Sequence, residues 1–193
     1  VLPITGGALQ TKIVPFDELQ LAIKEENLTR SRNGIGRSRN SVVVVASLIG
    51  NPINHAGIAR TSEIFAAECL VLPDLAITKT EVFTGIAVSA EGWLPMEECK
   101  PQDLIPYLQK MRRNGYDIIA LEQTDSSITL GDANAILPHK CVLVLGKEKE
   151  GVPVEILQQC TVTVEIAQYG VIRSLNVHVA ASIILFELTK NRM

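Results

Sequence analysis

Basic charge is in short supply in this 193-residue chain: 18 Lys and Arg stand against 21 Asp and Glu, a net charge of −3. A stand-alone nucleic-acid binder ordinarily carries a basic surplus, so any such contact has to be local. Aromatic residues are 4% of the chain, too few for the stacking platforms that hold single strands. The four cysteines, Cys69, Cys99, Cys141 and Cys160, lie far apart, with no Cys-x-x-Cys and no ligand spacing to His55, His139 or His178. That argues against a zinc module and a disulfide framework, so no metal is expected. Free thiols in a reducing, intracellular compartment, cytoplasm or nucleus, are expected instead. No apolar run approaches the roughly 20 residues of a membrane span, and no basic-then-apolar start marks a signal peptide. The chain opens on Val1 rather than Met, from which an excised segment with further chain upstream is expected.

What is present is ordinary for a folded domain: 47% hydrophobic and 20% charged residues, enough to bury a core at this length. Residues 1–40 read as an N-terminal extension, with helical spacing at Phe16, Leu19, Leu21 and Ile23. A loop follows in which Arg30, Arg32, Arg37 and Arg39 fall within ten residues and no acid intervenes. Such a stretch can meet phosphates; a solvated linker is the alternative.

From residue 41 the pattern alternates. Val42 to Val45 form a β-branched run, apolar on both faces, as in the middle of a parallel sheet. A helix is predicted over 54–67 with Asn54 as its cap, and short strands over 69–73 and 96–99. A helix over 101–114 is stopped by Gly115, and strands over 116–121, 141–146 and 161–166 follow. A long last helix over 174–190 has Val177, Ala180, Ala181, Ile184, Leu185 and Leu188 on one side. This is an α/β fold, a mostly parallel sheet of about six strands flanked by helices, with residues 41–193 as one domain.

Ligands of open parallel sheets bind beyond the carboxyl ends of strands. After the first strand, Asn54-x-x-Gly57-x-x-Arg60-Thr61 is expected to project Asn54, Gly57 and Arg60 or Thr61 to one side of a helix. A guanidinium there can grip a phosphate; a helix cap followed by a surface arginine is the plainer reading. After the 116–121 strand comes Leu121-Glu-Gln-Thr-Asp, and after the 141–146 strand comes Gly146-x-Glu148-x-x-Gly151. Neither is a Walker loop or a dinucleotide fingerprint, and Gly34-Ile-Gly36 has no strand before it and no third glycine. After the last strand, Ser174-Leu-Asn176-Val177-x-x-Ala180 opens the final helix; Ser174 or Asn176 as a simple cap is the plainer reading.

Each segment alone is modest, but the three in this order resemble the signature motifs of the SpoU (TrmH) branch of the SPOUT RNA methyltransferases. The resemblance covers residues 41–190. It implies a C-terminal deep trefoil knot, a homodimer through the knot region, and S-adenosylmethionine as methyl donor, leaving S-adenosylhomocysteine. It further implies methylation of a ribose 2′-hydroxyl of tRNA, at the D-loop guanosine 18. By position, Leu121, Glu122, Thr124, Leu145, Gly146, Gly151, Ile166, Ser174 and Leu175 would line the cofactor site. Arg60, Asn54, Glu148 and Asn176 would be catalytic. Asn54 and Asn176 would orient Arg60 and the ribose, and Glu148 would hold the motif together or meet RNA. Arg60 would serve as base or as electrostatic stabiliser; since arginine keeps its proton to a pH of about 12, the second role is physically favoured.

Two departures concern cofactor affinity. Ala167-Gln168 stands where bacterial members often have Pro-Met, and Arg173 precedes Ser174 where a small or acidic residue is common; Arg173 would face RNA. An rRNA methyltransferase of the same family and a non-catalytic RNA-binding scaffold are the alternatives.

Overall fold

The computed structural model describes residues 39–132, 136–172 and 174–190. The helical spacing at 16–23 and Arg30, Arg32, Arg37 and Arg173 lie outside these.

Strand β1 (Asn40–Val45) is the β-branched run, with Val42, Val43, Val44 and Val45 all buried. Its two faces feed two cores. Val42 and Val44 pack with helix α1 (Pro52–Ile64), helix α2 (Glu81–Ala87) and helix α5 (Val177–Thr189). Val43 and Val45 pack with helix α3 (Leu104–Arg113) and the short helix α4 (Val154–Leu157). Burial on both sides explains why this strand carries no polar alternation.

Among the described residues the sheet has seven strands rather than about six. With β2 (Ala67–Leu72), β3 (Met96–Glu98), β4 (Asp117–Leu121), β5 (Ile128–Thr129), β6 (Cys141–Leu145) and β7 (Val162–Glu165), the order is β3-β2-β1-β6-β4-β7-β5. Every pairing is parallel. The additional strand is β5, two residues too short to leave a hydrophobic period. The first three strands run outward to one side, and β6 then inserts between β1 and β4, so strand order reverses at the β1/β6 boundary. Loops beyond the carboxyl ends of β6, β4 and β7 surround one crevice, and the loop after β1 adjoins it through Glu148, as expected where strand order reverses.

Two helix starts differ from expectation. Helix α1 begins at Pro52, not Asn54. Asn51 is the cap, its side-chain oxygen accepting from the Ile53 N–H at 2.9 Å, and Pro52 fills a first-turn position where no N–H is needed. Asn54 therefore sits inside the helix, 4% exposed, with its amide free for tertiary bonds. Helix α5 begins at Val177 under Asn176, whose side-chain oxygen accepts from His178 N (2.9 Å) and Val179 N (3.3 Å); Ser174 caps nothing. The predicted helix over 101–114 opens with a 3-10 turn (Pro101–Asp103) and ends at Gly115, φ +81°.

Arg39 is a correction. Its guanidinium turns inward, ion-paired with Glu63 at 2.8 Å and donating to the carbonyls of Ala67 (2.9 Å) and Trp93 (2.7 Å). A guanidinium so committed is not available to a phosphate. No helix among the described residues is long and apolar enough to cross a membrane.

Candidate functional site

A cavity of about 400 Å³ opens in the crevice. It is lined by Leu121 and Glu122 from the end of β4, by Leu145, Gly146, Glu148 and Gly151 after β6, and by Ile166, Ser174, Leu175 and Asn176 after β7. Eight of the nine residues expected around a cofactor thus converge, though they come from three separate loops. Thr124 does not line the cavity; its hydroxyl lies 2.8 Å from that of Thr163 and braces the loop against β7. Val177 and Ala180 of α5, which belong both to the third motif and to the helix's apolar side, form part of the wall.

The loop after β6 takes its shape from its glycines. Lys147 and Gly151 exchange both backbone hydrogen bonds, at 2.9 and 3.0 Å, closing a tight turn. A Cβ on Gly146 would fall 2.6 Å from the Gly151 carbonyl carbon and 2.7 Å from Val152 N, both backbone atoms. Gly151 holds φ +71°, a region that L side chains avoid. From the β4 loop, the Glu122 carboxylate accepts from Val152 N at 2.8 Å and from Gln123 N at 3.0 Å. The carboxylate thus ties two cavity loops together and adds negative charge to their wall.

The three sequence segments meet in one hydrogen-bonded chain. Asn54 Nδ2 donates to Glu148 at 3.0 Å, and Asn176 Nδ2 donates to Asn54 Oδ1 at 3.0 Å. The N–H groups of Gly50 and Asn51 also point at Glu148, at 3.4 and 3.3 Å. Partial desolvation opposes ionisation of the exposed Glu148, but the hydrogen bonds from Asn54, the loop backbone, Gly50 and Asn51 outweigh it and hold the carboxyl below its ordinary value. Glu148 is therefore an anion that fastens the β6 loop to the start of α1. Sequence reading could not see the Gly50 and Asn51 donors, because backbone groups leave no residue signature.

Arg60 does not share the inward face with Asn54 and Gly57. At about 100° per residue, six residues carry it roughly 120° around the helix, while seven bring Thr61 to within about 20° of Asn54. Asn54 and Thr61 are accordingly buried, and Arg60 is exposed, on a stripe with the exposed Ile53 and Ile64. On α5, Val179, Ile183 and Phe186 form a second exposed apolar stripe.

The cysteines are free thiols: Cys69, Cys99 and Cys141 are buried and Cys160 half-buried. Burial pushes Cys69 up to about 12 and Cys160 to about 11, which makes them inert as nucleophiles. Among the described residues no three His, Cys, Asp or Glu side chains group so as to hold a metal ion.

Residues 41–186 match the SpoU rRNA Methylase family. The chain is 41% identical over 186 residues to the mouse (Mus musculus) tRNA (guanosine(18)-2'-O)-methyltransferase TARBP1, covering 96% of this chain and 12% of that protein. It is 35% identical over 156 residues to the tRNA (guanosine(18)-2'-O)-methyltransferase of Saccharomyces cerevisiae, covering 81% of this chain and 11% of that one. The chain therefore spans about a tenth of the length of these eukaryotic relatives. Among solved structures, the A. aeolicus TrmH/SpoU tRNA modifying enzyme superposes with a TM-score of 0.72 at 26% identity, covering 88% of this chain and 84% of that one.

Proposed function

The chain belongs to the SpoU rRNA methylase family, and from that premise we propose that it transfers the methyl group of S-adenosylmethionine to a ribose 2′-hydroxyl of tRNA, at the D-loop guanosine 18. The observation that carries the reading is the Glu148–Asn54–Asn176 chain, which joins all three motif segments beside a cavity of small-molecule size. The substrate rests on the names of the eukaryotic relatives. Residues 41–193 form the methyltransferase domain in this reading, and residues 1–40 an extension.

The cavity fits the cofactor. Leu121, Leu145, Ile166 and Leu175 offer apolar walls to a purine, and the Glu122 carboxylate offers negative charge to a cation. Gly146 lets the loop fold flat against the Gly151–Val152 backbone, where a Cβ would clash, and so keeps the cavity wall in this shape. When bound, S-adenosylmethionine supplies a methyl group already activated on a sulfonium. The protein then has mainly to align the reactants and accommodate the charge that grows on the ribose oxygen.

Asn176 suits the alignment. One amide hydrogen goes to Asn54 and its oxygen to the first turn of α5, so the second amide hydrogen remains to offer a ribose oxygen at the cavity wall. Glu148 is a poor proton acceptor, because three donors already hold it as the anion. Arg60 does not line this chain's cavity; from the edge of a homodimer it would stabilise the developing alkoxide and the adjacent phosphate at the partner subunit's site, with the hydroxyl proton passing to solvent.

The exposed stripes on α1 and α5 support a homodimer packed through these helices, with Arg60 at its edge. The insertion of β7 between the consecutive strands β4 and β5 is compatible with a C-terminal segment threaded as a trefoil knot. The free thiols agree with a cytoplasmic or nuclear setting.

The test is transfer of labelled methyl to unmodified tRNA and to rRNA fragments, comparing the protein with its Arg60→Ala variant and mapping the product nucleotide. Label on the D-loop 2′-hydroxyl that Arg60→Ala abolishes supports the reading. Label on rRNA alone moves the substrate, and failure to bind the cofactor leaves a scaffold domain.

A further inference from the structure

His178 lies two residues beyond Asn176, on the first turn of α5, and it does not line the cavity. Its imidazole faces α1 instead. Nε2 lies 3.0 Å from the Thr61 hydroxyl, which lies 3.2 Å from the Ser182 hydroxyl, which donates to the His178 carbonyl at 2.8 Å.

The protons in this ring run one way. A carbonyl only accepts, so the single Ser182 hydrogen is spent on it. Ser182 Oγ therefore accepts from the Thr61 hydroxyl, and Thr61 Oγ1 accepts from His178 Nε2–H. The ring hydrogen is thus assigned to Nε2, and each bond polarises the next.

The imidazole also occupies the space in which a Gly57 side chain would stand: a Cβ there would lie 2.6 Å from Cε1 and 2.8 Å from Cγ of His178. Gly57 sits one turn after Asn54 and one turn before Arg60 and Thr61. The Asn176–Asn54 and His178–Thr61 bonds therefore grip α1 at two points seven residues apart, about 10.5 Å along the helix. A single contact would let α5 pivot on α1; two contacts and a ring seated on glycine do not.

We propose that His178 is a positioning residue that locks the start of α5 onto α1 and thereby fixes Asn176 and Asn54 relative to each other and to the turn that bears Arg60. The inference rests on the methyl-transfer reading for its effect on rate, but its geometry can be tested without it. Burial lowers the pKa of His178, in keeping with a neutral ring.

The experiment has three readouts. In the 193-residue chain, nitrogen-15 histidine spectra should show His178 as the Nε2–H tautomer, with a signal that shifts in Thr61→Val. An Nδ1–H tautomer, or no response to Thr61→Val, overturns the proposal. In thermal denaturation, Gly57→Ala should lower the midpoint in the wild-type background and have no further effect in a His178→Ala background, as neighbours that share one space are non-additive. Equal losses in both backgrounds overturn it. In steady-state assays of the protein, His178→Phe keeps the ring but not the donor. It should lower kcat about tenfold or more, as small misplacements do, with cofactor affinity held. His178→Gln, whose Nε2 can reach the same hydroxyl, should recover most of that loss. A fully active His178→Phe, or a His178→Gln no better than it, overturns the positioning role. If the wild type transfers no methyl at all, the functional reading falls, while the tautomer and the denaturation cycle still decide the interlock.

Discussion

Asn54→Ala removes two bonds at once: the donor to the Glu148 carboxylate and the acceptor of the Asn176 amide, each at 3.0 Å. A hydrogen bond to a charged group contributes about 1.5–3 kcal/mol and a neutral one about 0.5–1.5 kcal/mol, so the pair is worth about 2–4.5 kcal/mol. Glu148 and Asn176 are both exposed, and water replaces part of what they lose. The lower end, about 2 kcal/mol, is therefore expected, or a midpoint roughly 4–8 °C lower for a domain of this size. The assay is thermal and urea unfolding alongside methyl transfer. Transfer should fall more steeply than stability, because the β6 loop and the start of α5 lose their common anchor. Asn54→Asp should be worse than Asn54→Ala at neutral pH, since it sets a second carboxylate against Glu148, and the difference should shrink in acid. An Asn54→Ala variant that melts within about a degree of wild type and transfers methyl normally would refute the reasoning.

Gly146→Ala should cost about 1–3 kcal/mol through overpacking against backbone that cannot yield, and isothermal titration should show cofactor binding weakened at least about tenfold. Arg39→Ala should act on stability alone, lowering it by about 2–3 kcal/mol in urea unfolding, while the salt dependence of RNA affinity keeps its slope, because the guanidinium already serves Glu63, Ala67 and Trp93. Burial lowers the pKa of His55 from its ordinary 6.5, so the unfolded chain takes up the proton first as pH falls. Its contribution should be intact above pH 6.5 and erode as pH drops from there through the lower folded value. His55→Gln, which keeps a donor for the Ala46 carbonyl, should show a flatter urea-midpoint profile across that window.

The parallel α/β architecture was legible because periodicity is local. Val42 to Val45 announce a strand buried on both faces, and Pro101 and Gly115 bound their helix by backbone chemistry that needs no partner. The four polar segments at strand ends were equally visible, and most of the residues picked from the last three of them line one cavity, while Asn54, Gly57, Arg60 and Thr61 do not. The direction of a side chain was not legible, because it is decided by what packs against it. Arg39 reads as part of a basic run until Glu63 and two carbonyls claim it. Asn54 reads as a cap until Asn51 takes that role and leaves its amide to Glu148 and Asn176, residues 94 and 122 positions away. His178 looks like a stray histidine until α5 lies across Gly57. Sequence determined which groups each strand end would present; only the crossing of α1, α5 and the β6 loop decided which of them meet, because those bonds join segments that no local pattern relates.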